Sequence, residues 1–434
     1  MTEPVHESAA EPSPVPRQDD AGPSRVPDPG RGPARLLVDP VFGPYIVGKL
    51  VGTAGMWVFS ISAAIVAFEL TRSAFVVGLV SIAQFAPQLL LAPLSGAIAD
   101  RGDRRRQIVL GRLLVVLGSG GLAAWLAASG VDDLPGAWPV LLASMVVGLG
   151  FVVGGPAMNA LVPTLVRPHE LAAAIGLNNV PITVARTVGP VVGATLTSAV
   201  SPAAAFAVAA LANAVFALAV MVLPISGRVR TPTGSDRRVR AGIHHLRRDP
   251  TLVVLLGGVV AVAFGSDPAI TLAPSLSAEL GHGTDLVGLL TSAFGLGAMT
   301  SFPLMGLVRR RFGEPVVTTA GLWLLGVGLL LAAPAPSAAI ACVTLAVAGA
   351  GMMMSLTSLS TQIQMRLPDF IRGRVMALWA VAFLGSRPLA SAFDGLVADL
   401  LSVDAALIAV AVLVAVAAWL ARPARIAPAP FVPD

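Results

Sequence analysis

Residues 89–118 read LLLAPLSGAIADRGDRRRQIVLGRLLVVLG, a short charged run between two apolar stretches. About 20 apolar residues suffice for a helix to cross a bilayer. Each of the two apolar stretches reaches that length when the apolar residues before position 89 or after position 118 are included. The same alternation fills the chain after Pro40, and overall 55% of the 434 residues are hydrophobic and 12% are charged. A soluble protein carries about 25% charged residues. The sequence therefore predicts an all-α integral membrane protein.

Twelve spans are predicted, and a long polar break separates the first six from the last six. They cover residues 42–70, 74–99, 107–128, 138–162, 170–200, 203–223, 251–280, 285–308, 315–333, 337–364, 370–400 and 405–421. The predicted divisions are a disordered tail (1–40), a six-helix half (41–225), a basic linker (226–249), a second six-helix half (250–421) and a short tail (422–434). The first tail is too polar to bury enough surface to offset its chain entropy, and a partner-docking role for it stays open.

The loops alternate in charge along the chain. One set holds nearly all the arginines, whereas the other holds most of the acidic residues, with Arg72 as its permanent cation. Arginine-rich loops of membrane proteins face the cytoplasm. We therefore expect both termini and the 226–249 linker to be cytoplasmic. The same rule accounts for the net charge of +5, so no nucleic-acid partner is expected.

The two halves repeat weakly. Residues 96–101 close the second span and residues 306–311 close the eighth, each in a short basic loop. In the fifth and the eleventh span a leucine precedes an arginine, Arg186 or Arg387, by nine positions. Two pseudo-symmetric six-span halves indicate a duplicated transporter, with its substrate site where the halves meet.

Residues 96–106, GAIADRGDRRR, resemble the loop signature of the major facilitator superfamily, Gly-x-x-x-Asp-Arg-x-Gly-Arg-Arg, with Asp103 in place of the second glycine. Aspartate at that position is typical of the branch that holds the enterobactin and macrolide exporters. Further segments are similar to that branch, among them 155–163, 170–178, 185–190, 247–250 and 368–375. The resemblance covers residues 41–421 and implies the major facilitator fold, transport by alternating access, and no particular cargo.

The resemblance also implies a cytoplasmic latch between the halves. Its residues here are Gly96, Asp100, Arg101, Arg104 and Arg105. In the family the acidic residue of the motif faces the start of the eleventh span, here residues 368–369, where a carboxylate near a helix N-terminus gains about 0.3–1 kcal/mol. Such a latch favours the outward-facing state. A role of the arginines as topology anchors alone remains the alternative.

The fifth span carries Gly189, Pro190 and Gly193. Glycine permits close helix approach, and Pro190 removes a helix hydrogen bond and can kink the span. In exporters of the superfamily a Gly-Pro-rich motif on this span accompanies antiport, so the resemblance implies antiport here. Simple close packing is the alternative.

Four charged residues lie deep in predicted spans: Arg186, Asp267, Arg387 and Asp394. Charges inside a membrane usually face a cavity or a partner. Asp267, beside Pro268, is the first candidate for proton coupling and Asp394 the second, since proline can open the helix to water. Arg387 and Asp394 are two turns apart and share a helix face. A structural pair of Arg387 with either carboxylate remains open, whereas Lys49 and Arg112 are expected to snorkel to the membrane surface.

The candidates for the wall of a substrate cavity are polar, soft or aromatic residues within the spans. They are Arg186, Arg387, Asn178, Gln84, Gln88, Met353 and Phe294. Methionine re-packs easily and suits an adaptable wall. Ordinary helix packing is the alternative for each of them.

The sequence argues for a transporter and against an enzyme. It shows no cluster of His, Cys or carboxylates for catalysis or metal binding, and no Gly-x-x-x-x-Gly-Lys-Ser/Thr stretch for a nucleotide. We expect no cofactor and no metal, and as partners a small molecule, protons and the lipid bilayer, around a monomer. The preferred hypothesis is proton-coupled efflux of a small amphipathic molecule across the inner membrane. An importer of the same fold and a membrane receptor are the alternatives.

Overall fold

The computed structural model describes residues 33–101, 103–224, 249–367 and 369–426, without the side chains of 33, 92–101, 168, 172, 369–374 and 377. Within those ranges the chain forms helices and no strand. The helices of the first half are α1 (Phe42–Thr71), α2 (Ala74–Arg101), α3 (Arg104–Ser129), α4 (Trp138–Leu165), α5 (Leu171–Ala199) and α6 (Pro202–Val222). Those of the second half are α7 (Pro250–Ser266), α8 (Thr284–Phe312), α9 (Glu314–Ala332), α10 (Ala338–Met365), α11 (Asp369–Leu384), α12 (Arg387–Leu400) and α13 (Val403–Leu420).

Several short helices complete the description. They are Pro33–Leu37, Pro168–Glu170, Pro268–Thr271, Ala273–Glu279 and Pro423–Ile426. The predicted linker and most of both predicted tails lie outside the described residues.

Within the described ranges, eleven helices are long and apolar enough to cross a membrane, and α11 with α12 supplies the twelfth crossing. These two helices have 16 and 14 residues and are separated by Gly385 and Ser386. The break has a local cause, because Pro388 cannot bond to the carbonyl four residues earlier and its ring clashes with that group. That carbonyl belongs to Leu384, where α11 ends. The predicted all-α membrane fold is confirmed.

The seventh span is broken in the same way. Pro268 would clash with the carbonyl of Phe264, and α7 ends two residues later, at Ser266. The chain then continues through the two short helices Pro268–Thr271 and Ala273–Glu279. Asp267 therefore lies at a break in the span rather than on a continuous helix.

Side-chain caps fix where several helices begin. The hydroxyls of Ser201 and Ser402 accept hydrogen bonds of 3.1 Å and 3.0 Å from backbone N–H groups three residues later, at the start of α6 and α13. These are the last helices of the two halves, so the cap repeats with the pseudo-symmetry. Asp103 caps α3 by accepting a bond of 3.2 Å from the backbone of Arg106. A short polar residue at the N-cap, the position just before the first helical residue, stabilises a helix by about 1 kcal/mol.

The helices run alternately up and down. Because twelve crossings separate them, the start of α1 and the end of α13 lie at the same end of the bundle, here called the near end. The opposite end, where α1 ends and α2 begins, is called the far end.

Glycines bring neighbouring helices into close contact. A Cβ atom at Gly111 of α3 would lie 2.5 Å from the carbonyl oxygen of Gly150 in α4. Between the halves, a Cβ at Gly395 of α12 would lie 2.6 Å from the carbonyl oxygen of Ala74 in α2. Small residues permit this close approach, which drives helix association where lipid removes the hydrophobic effect.

The expectation that Lys49 and Arg112 snorkel to the membrane surface was wrong. Both side chains are buried, with 3% of their surface exposed. Lys49 donates hydrogen bonds to the backbone and side-chain oxygens of Asn178, at 3.0 Å and 2.7 Å. Arg112 donates to Oδ1 of Asn213 at 2.9 Å. Acceptors on neighbouring helices satisfy the two cations inside the bundle, so neither has to reach water.

Candidate functional site

One face of α12 carries a row of buried polar side chains. Arg387, Ser391 and Asp394 are spaced by four and three residues, so they project from the same side of the helix. All three are buried, and Asp394 has no exposed surface. This face is turned toward Asp267, at the break in the seventh span, which is also buried.

Asp267 is held by two hydroxyl groups. Oγ of Ser391 donates a hydrogen bond of 2.8 Å to its Oδ1, and Oγ1 of Thr271 donates one of 2.7 Å to its Oδ2. The charge of Arg387 acts on the same carboxyl group. Arg387 is therefore an electrostatic neighbour of Asp267, although its Nε and Nη2 donate to neither carboxylate.

Asp394 also interacts with Asp267. Neither of its carboxyl oxygens has a hydrogen-bond donor among the described residues. Its carboxyl group is within hydrogen-bonding reach of that of Asp267. Two carboxylates can form such a bond only when one of them holds a proton. The arrangement is therefore a buried carboxyl pair with room for one shared proton.

Arg387 connects the carboxyl pair to a central cavity of about 50 Å³. The lining residues come from both halves: Met56, Trp57, Ser60, Ala64, Val80, Ser81, Gln84, Phe85, Ile270 and Arg387. The guanidinium of Arg387 lies 4.6 Å from the ring centre of Phe85. Its Nε and Nη2 are buried and have no partner among the described residues, and the same holds for Nε1 of Trp57.

Arg186, the counterpart of Arg387 in the first half, lies next to this cavity. Its guanidinium stands 5.6 Å from the ring of Trp57 and 5.4 Å from the ring of Phe294, which belongs to the other half. The two arginines are close enough for their charges to interact. Aromatic faces thus stabilise a deep cation for which the sequence suggested no partner in its own half.

The remaining predicted cavity residues separate into two groups. Gln84 lines the cavity and exchanges hydrogen bonds of 3.1 Å and 3.0 Å with Ser60, and Gln88 follows it one turn along α2. Asn178 is the acceptor for Lys49, and half-buried Met353 packs against the core of the second half. Neither Asn178 nor Met353 lines the cavity in this conformation.

Gly189, Pro190 and Gly193 pack α5 against its neighbours. A Cβ at Gly189 would lie 2.5 Å from Cβ of Trp57, and one at Gly193 would lie 3.0 Å from the backbone of Val58. The helix continues through Pro190 without a break. These contacts hold Trp57, a cavity residue, in place, and they agree with the close-packing alternative.

The predicted latch lies mostly outside the described side chains, including those of Gly96, Asp100 and Arg101. Arg104 is described, and its Nη1 donates a hydrogen bond of 2.9 Å to the carbonyl oxygen of Ala160 in α4. Arg105 is half-buried at the start of α3. The bond of Arg104 ties this loop to its own half.

Two corresponding polar contacts join the halves at the far end. Asp399, near the end of α12, accepts hydrogen bonds from Ser73, Ala74 and Phe75 at the start of α2. Ser198, near the end of α5, donates a hydrogen bond to Asp285 at the start of α8. Because α12 and α5 occupy corresponding places in the two halves, the contacts are related by the pseudo-symmetry.

Four residues of this site are not among the residues predicted from the sequence: Ser60, Phe85, Thr271 and Ser391. Helical spacing could have found Ser391, which lies between Arg387 and Asp394 on the same face, and Thr271, one turn after Asp267. Among the described residues no group of three or more His, Cys, Asp or Glu side chains could hold a metal ion.

The two six-helix halves, with a cavity between them that both halves line, define a polytopic membrane transporter. Solved transporters share this architecture. A bacterial homologue of the human lysosomal transporter Spinster, in an inward-facing occupied state, aligns with a TM-score of 0.68 at 14% identity over 90% of this chain and 97% of its own. A D-xylose–proton symporter aligns with a TM-score of 0.66 at 17% identity over 87% and 97%.

The sequence comparisons identify the family. The chain belongs to the transmembrane secretion effector family of the major facilitator superfamily, whose model matches residues 34–429. Macrolide efflux protein A of Streptococcus pyogenes is 26% identical over 61% of this chain and 65% of its own length, which is under two thirds. An enterobactin exporter of Salmonella choleraesuis is 26% identical over 83% of this chain and 86% of its own. The protein is therefore a multi-pass membrane transporter with efflux-type relatives, not an enzyme.

Proposed function

We propose that this protein exports a small amphipathic molecule in exchange for protons, and that the Asp267–Asp394 carboxyl pair carries the proton. The observation that supports this most directly is the position of Arg387. It lines the central cavity, and its charge also acts on Asp267, so it connects the two sites. Intramembrane ionisable groups with such neighbours are typical of proton relays.

The exchange follows from the state of Arg387. When both carboxyl groups are ionised, Asp267 compensates the charge of Arg387 and holds its guanidinium beside the cavity. When a proton binds between the carboxyl groups, this compensation weakens and the guanidinium is no longer held in the binding position. Substrate and proton therefore favour different states of one side chain, which is the requirement for exchange.

Alternating access would proceed by rocking of the two halves about this central site. The far-end contacts of Asp399 and Asp285 support a state in which the site is closed from that end. The arginine-rich loops support a cytoplasmic near end, with both termini on that side. The protein works as a monomer in the inner membrane, because each half supplies one wall of the cavity.

The substrate belongs to the chemical range of the relatives, which are described as exporting macrolides and enterobactin. The cavity of about 50 Å³ is much smaller than such molecules, so it must widen when the near end opens. Apolar residues of its wall, such as Met56 and Ile270, suit the apolar part of an amphipathic substrate.

The near-end latch is part of the same proposal. Asp100 would bind the start of the eleventh span at residues 368–369 in the outward-facing state, with Gly96, Arg101, Arg104 and Arg105 shaping the loop. Asp100→Asn should then slow export without lowering expression, because it removes the charge that the helix N-terminus attracts. Export at the wild-type rate would leave these arginines as topology anchors.

Proton movement in proteoliposomes tests the central proposal. The full-length chain is reconstituted with a pH-sensitive dye inside, and a macrolide or enterobactin is added to create an outward or inward gradient. Asp267→Asn and Asp394→Asn should abolish substrate-driven proton movement while counterflow of labelled substrate continues. Asp404→Asn, at the start of α13, is the matched control and should behave as the wild type. Unchanged proton movement in both site variants would remove the carboxyl pair from the mechanism, and proton movement in the direction of the substrate would indicate an importer.

A further inference from the structure

Three buried N–H groups on residues of the cavity wall have no acceptor in the part of the chain that the structure describes. Nε and Nη2 of Arg387 and Nε1 of Trp57 are buried N–H groups without an acceptor among the described residues. Gln84 and Ser60 bond to each other, and Ser81 adds one hydroxyl, which can donate or accept, to the same wall. A buried donor without a partner is costly, so the site gains free energy when a ligand supplies acceptors.

The charges around the cavity are balanced when both carboxyl groups are ionised. Arg186 and Arg387 contribute two positive charges, and Asp267 and Asp394 contribute two negative charges. A proton on the carboxyl pair leaves one net positive charge. If the proton leaves before the substrate binds, as the proposed function requires, the substrate meets an electrically neutral cluster.

Resting on that proposed exchange, we infer that the substrate presents an uncharged acceptor oxygen, such as an ester, lactone, ketone or amide carbonyl, to the N–H groups of Arg387 and Trp57. Its apolar part lies against Met56, Phe85 and Ile270, which share the cavity wall. The two donor residues lie on opposite halves, Trp57 on α1 and Arg387 on α12. A single carbonyl oxygen therefore bridges the halves when they close around it.

Charged substrates fit the same wall poorly. An ammonium group has only donors, and it would lie beside two arginines. An anion could accept the hydrogen bonds, but it would attract the proton to the carboxyl pair. It would then bind together with the proton rather than replace it, contrary to an exchange.

Four probes of similar size separate these cases: methyl benzoate, isobutylbenzene, benzoate and phenethylammonium. Binding to the purified full-length chain in detergent is measured from the dependence of Tm on probe concentration. Methyl benzoate should bind about tenfold more tightly than isobutylbenzene, because one hydrogen bond to a charged donor contributes that much. It should also bind more tightly than either charged probe. Equal affinity for ester and hydrocarbon, or the highest affinity for a charged probe, would overturn the inference.

Tryptophan substitutions assign the effect to one donor. Trp57→Phe keeps an aromatic ring but removes the N–H group. It should therefore weaken the binding of methyl benzoate several-fold and leave the binding of isobutylbenzene unchanged. The control is Trp379→Phe in α11, because Trp379 also has a buried unpartnered Nε1 but does not line the cavity. Each probe partitions into the detergent micelles to the same extent for every variant. At one added concentration the variants therefore meet the same free concentration of that probe, and their affinities can be compared. Equal weakening by both substitutions would count against the assignment.

The two proposals fail separately. Probe binding needs no gradient and no particular direction of transport, so it can be measured even if no proton moves. If the protein prefers the ester but moves no protons, the roles of Arg387 and Trp57 as donors are supported and the proposed proton exchange is rejected. If protons are exchanged normally but a charged probe binds most tightly, only the inferred class of ligand is rejected.

Discussion

The backbone N–H of Ala74 donates a hydrogen bond of 2.7 Å to Oδ1 of Asp399, although the two residues lie 325 positions apart and on different halves. The same carboxylate accepts a bond of 3.2 Å from the backbone of Phe75 and another from the hydroxyl of Ser73. Asp399 thus caps the N-terminus of α2 from the opposite half. A carboxylate is well suited to that position, since the first backbone N–H groups of a helix lack partners and carry partial positive charge.

Removal of this cap should open the far end. Asp399→Ala should raise the population of the far-end-open state about fivefold, because an N-cap contributes about 1 kcal/mol. The measurement is double electron–electron resonance between spin labels at Asp133→Cys and His282→Cys, which are exposed far-end positions on the two halves. Both labels are placed in a Cys342→Ser background, since Cys342 is the sole cysteine of the chain.

A nearby acidic residue provides the control for this prediction. Asp404 also lies at the far end, in the first turn of α13. It is an acidic residue at the start of a helix of its own half, whereas Asp399 caps a helix of the other half. Asp404→Ala should leave the distance distribution as in the wild type. If Asp399→Ala also leaves it unchanged, the cap does not hold the two halves together.

Much of this fold follows from local sequence. The apolar runs and the charged loops between them predict the helices, and Pro268 predicts the break beside Asp267, because proline acts on the carbonyl four residues earlier. The contact of Asp399 with Ala74 could not be predicted in this way. It depends on how two distant helices meet, and sequence spacing carries no information about that distance.

Close packing within the second half gives a second prediction. A Cβ at Gly297 of α8 would overlap the backbone carbonyl of Ala346 in α10, whereas one at Gly306 of the same helix would meet no atom within 4 Å. Gly297→Ala should therefore destabilise the protein by about 1–3 kcal/mol, since backbone cannot move aside as a side chain does. Gly306→Ala should keep or slightly raise the Tm, because alanine favours a helix. Thermal unfolding of both variants in detergent checks this, and equal Tm values would contradict the close contact between α8 and α10.

The buried cation of the first half gives a third prediction. Asn213 has no exposed surface, and its Oδ1 accepts the bond from Arg112 while its Nδ2 donates to the carbonyl of Ala209 at 2.9 Å. Asn213→Leu should destabilise the protein by about 2 kcal/mol, because it leaves Nη1 of the buried Arg112 guanidinium without its acceptor. Asn179→Leu is the matched control, since Asn179 is exposed on α5. The Tm in detergent should fall for Asn213→Leu alone, and a similar fall in both would point to a general effect of the substitution.

The candidate site was only partly predictable, for a related reason. Arg387 and Asp394 could be placed on one face from their spacing, because a helix repeats every 3.6 residues. The direction of that face, toward Asp267 rather than toward lipid, depends on the packing of α12 against the seventh span. The snorkelling expected for Arg112 failed in the same way, since its acceptor Asn213 lies on another helix, 101 positions away.

The orientation of the bundle in the membrane can be tested by labelling its loops. We expect the near end to be cytoplasmic, because arginine-rich loops are retained on that side of the membrane. In the Cys342→Ser background, a cysteine at Ser235 in the central linker should resist an impermeant maleimide added to intact cells and react after the membrane is opened. A cysteine at Asp133, in the far-end loop between α3 and α4, should react in intact cells. The two variants carry the same reagent, host and expression level, so each is the control for the other. Labelling of position 235 in intact cells, with position 133 protected, would show that the bundle has the opposite orientation, and the proposed direction of export would then also be wrong.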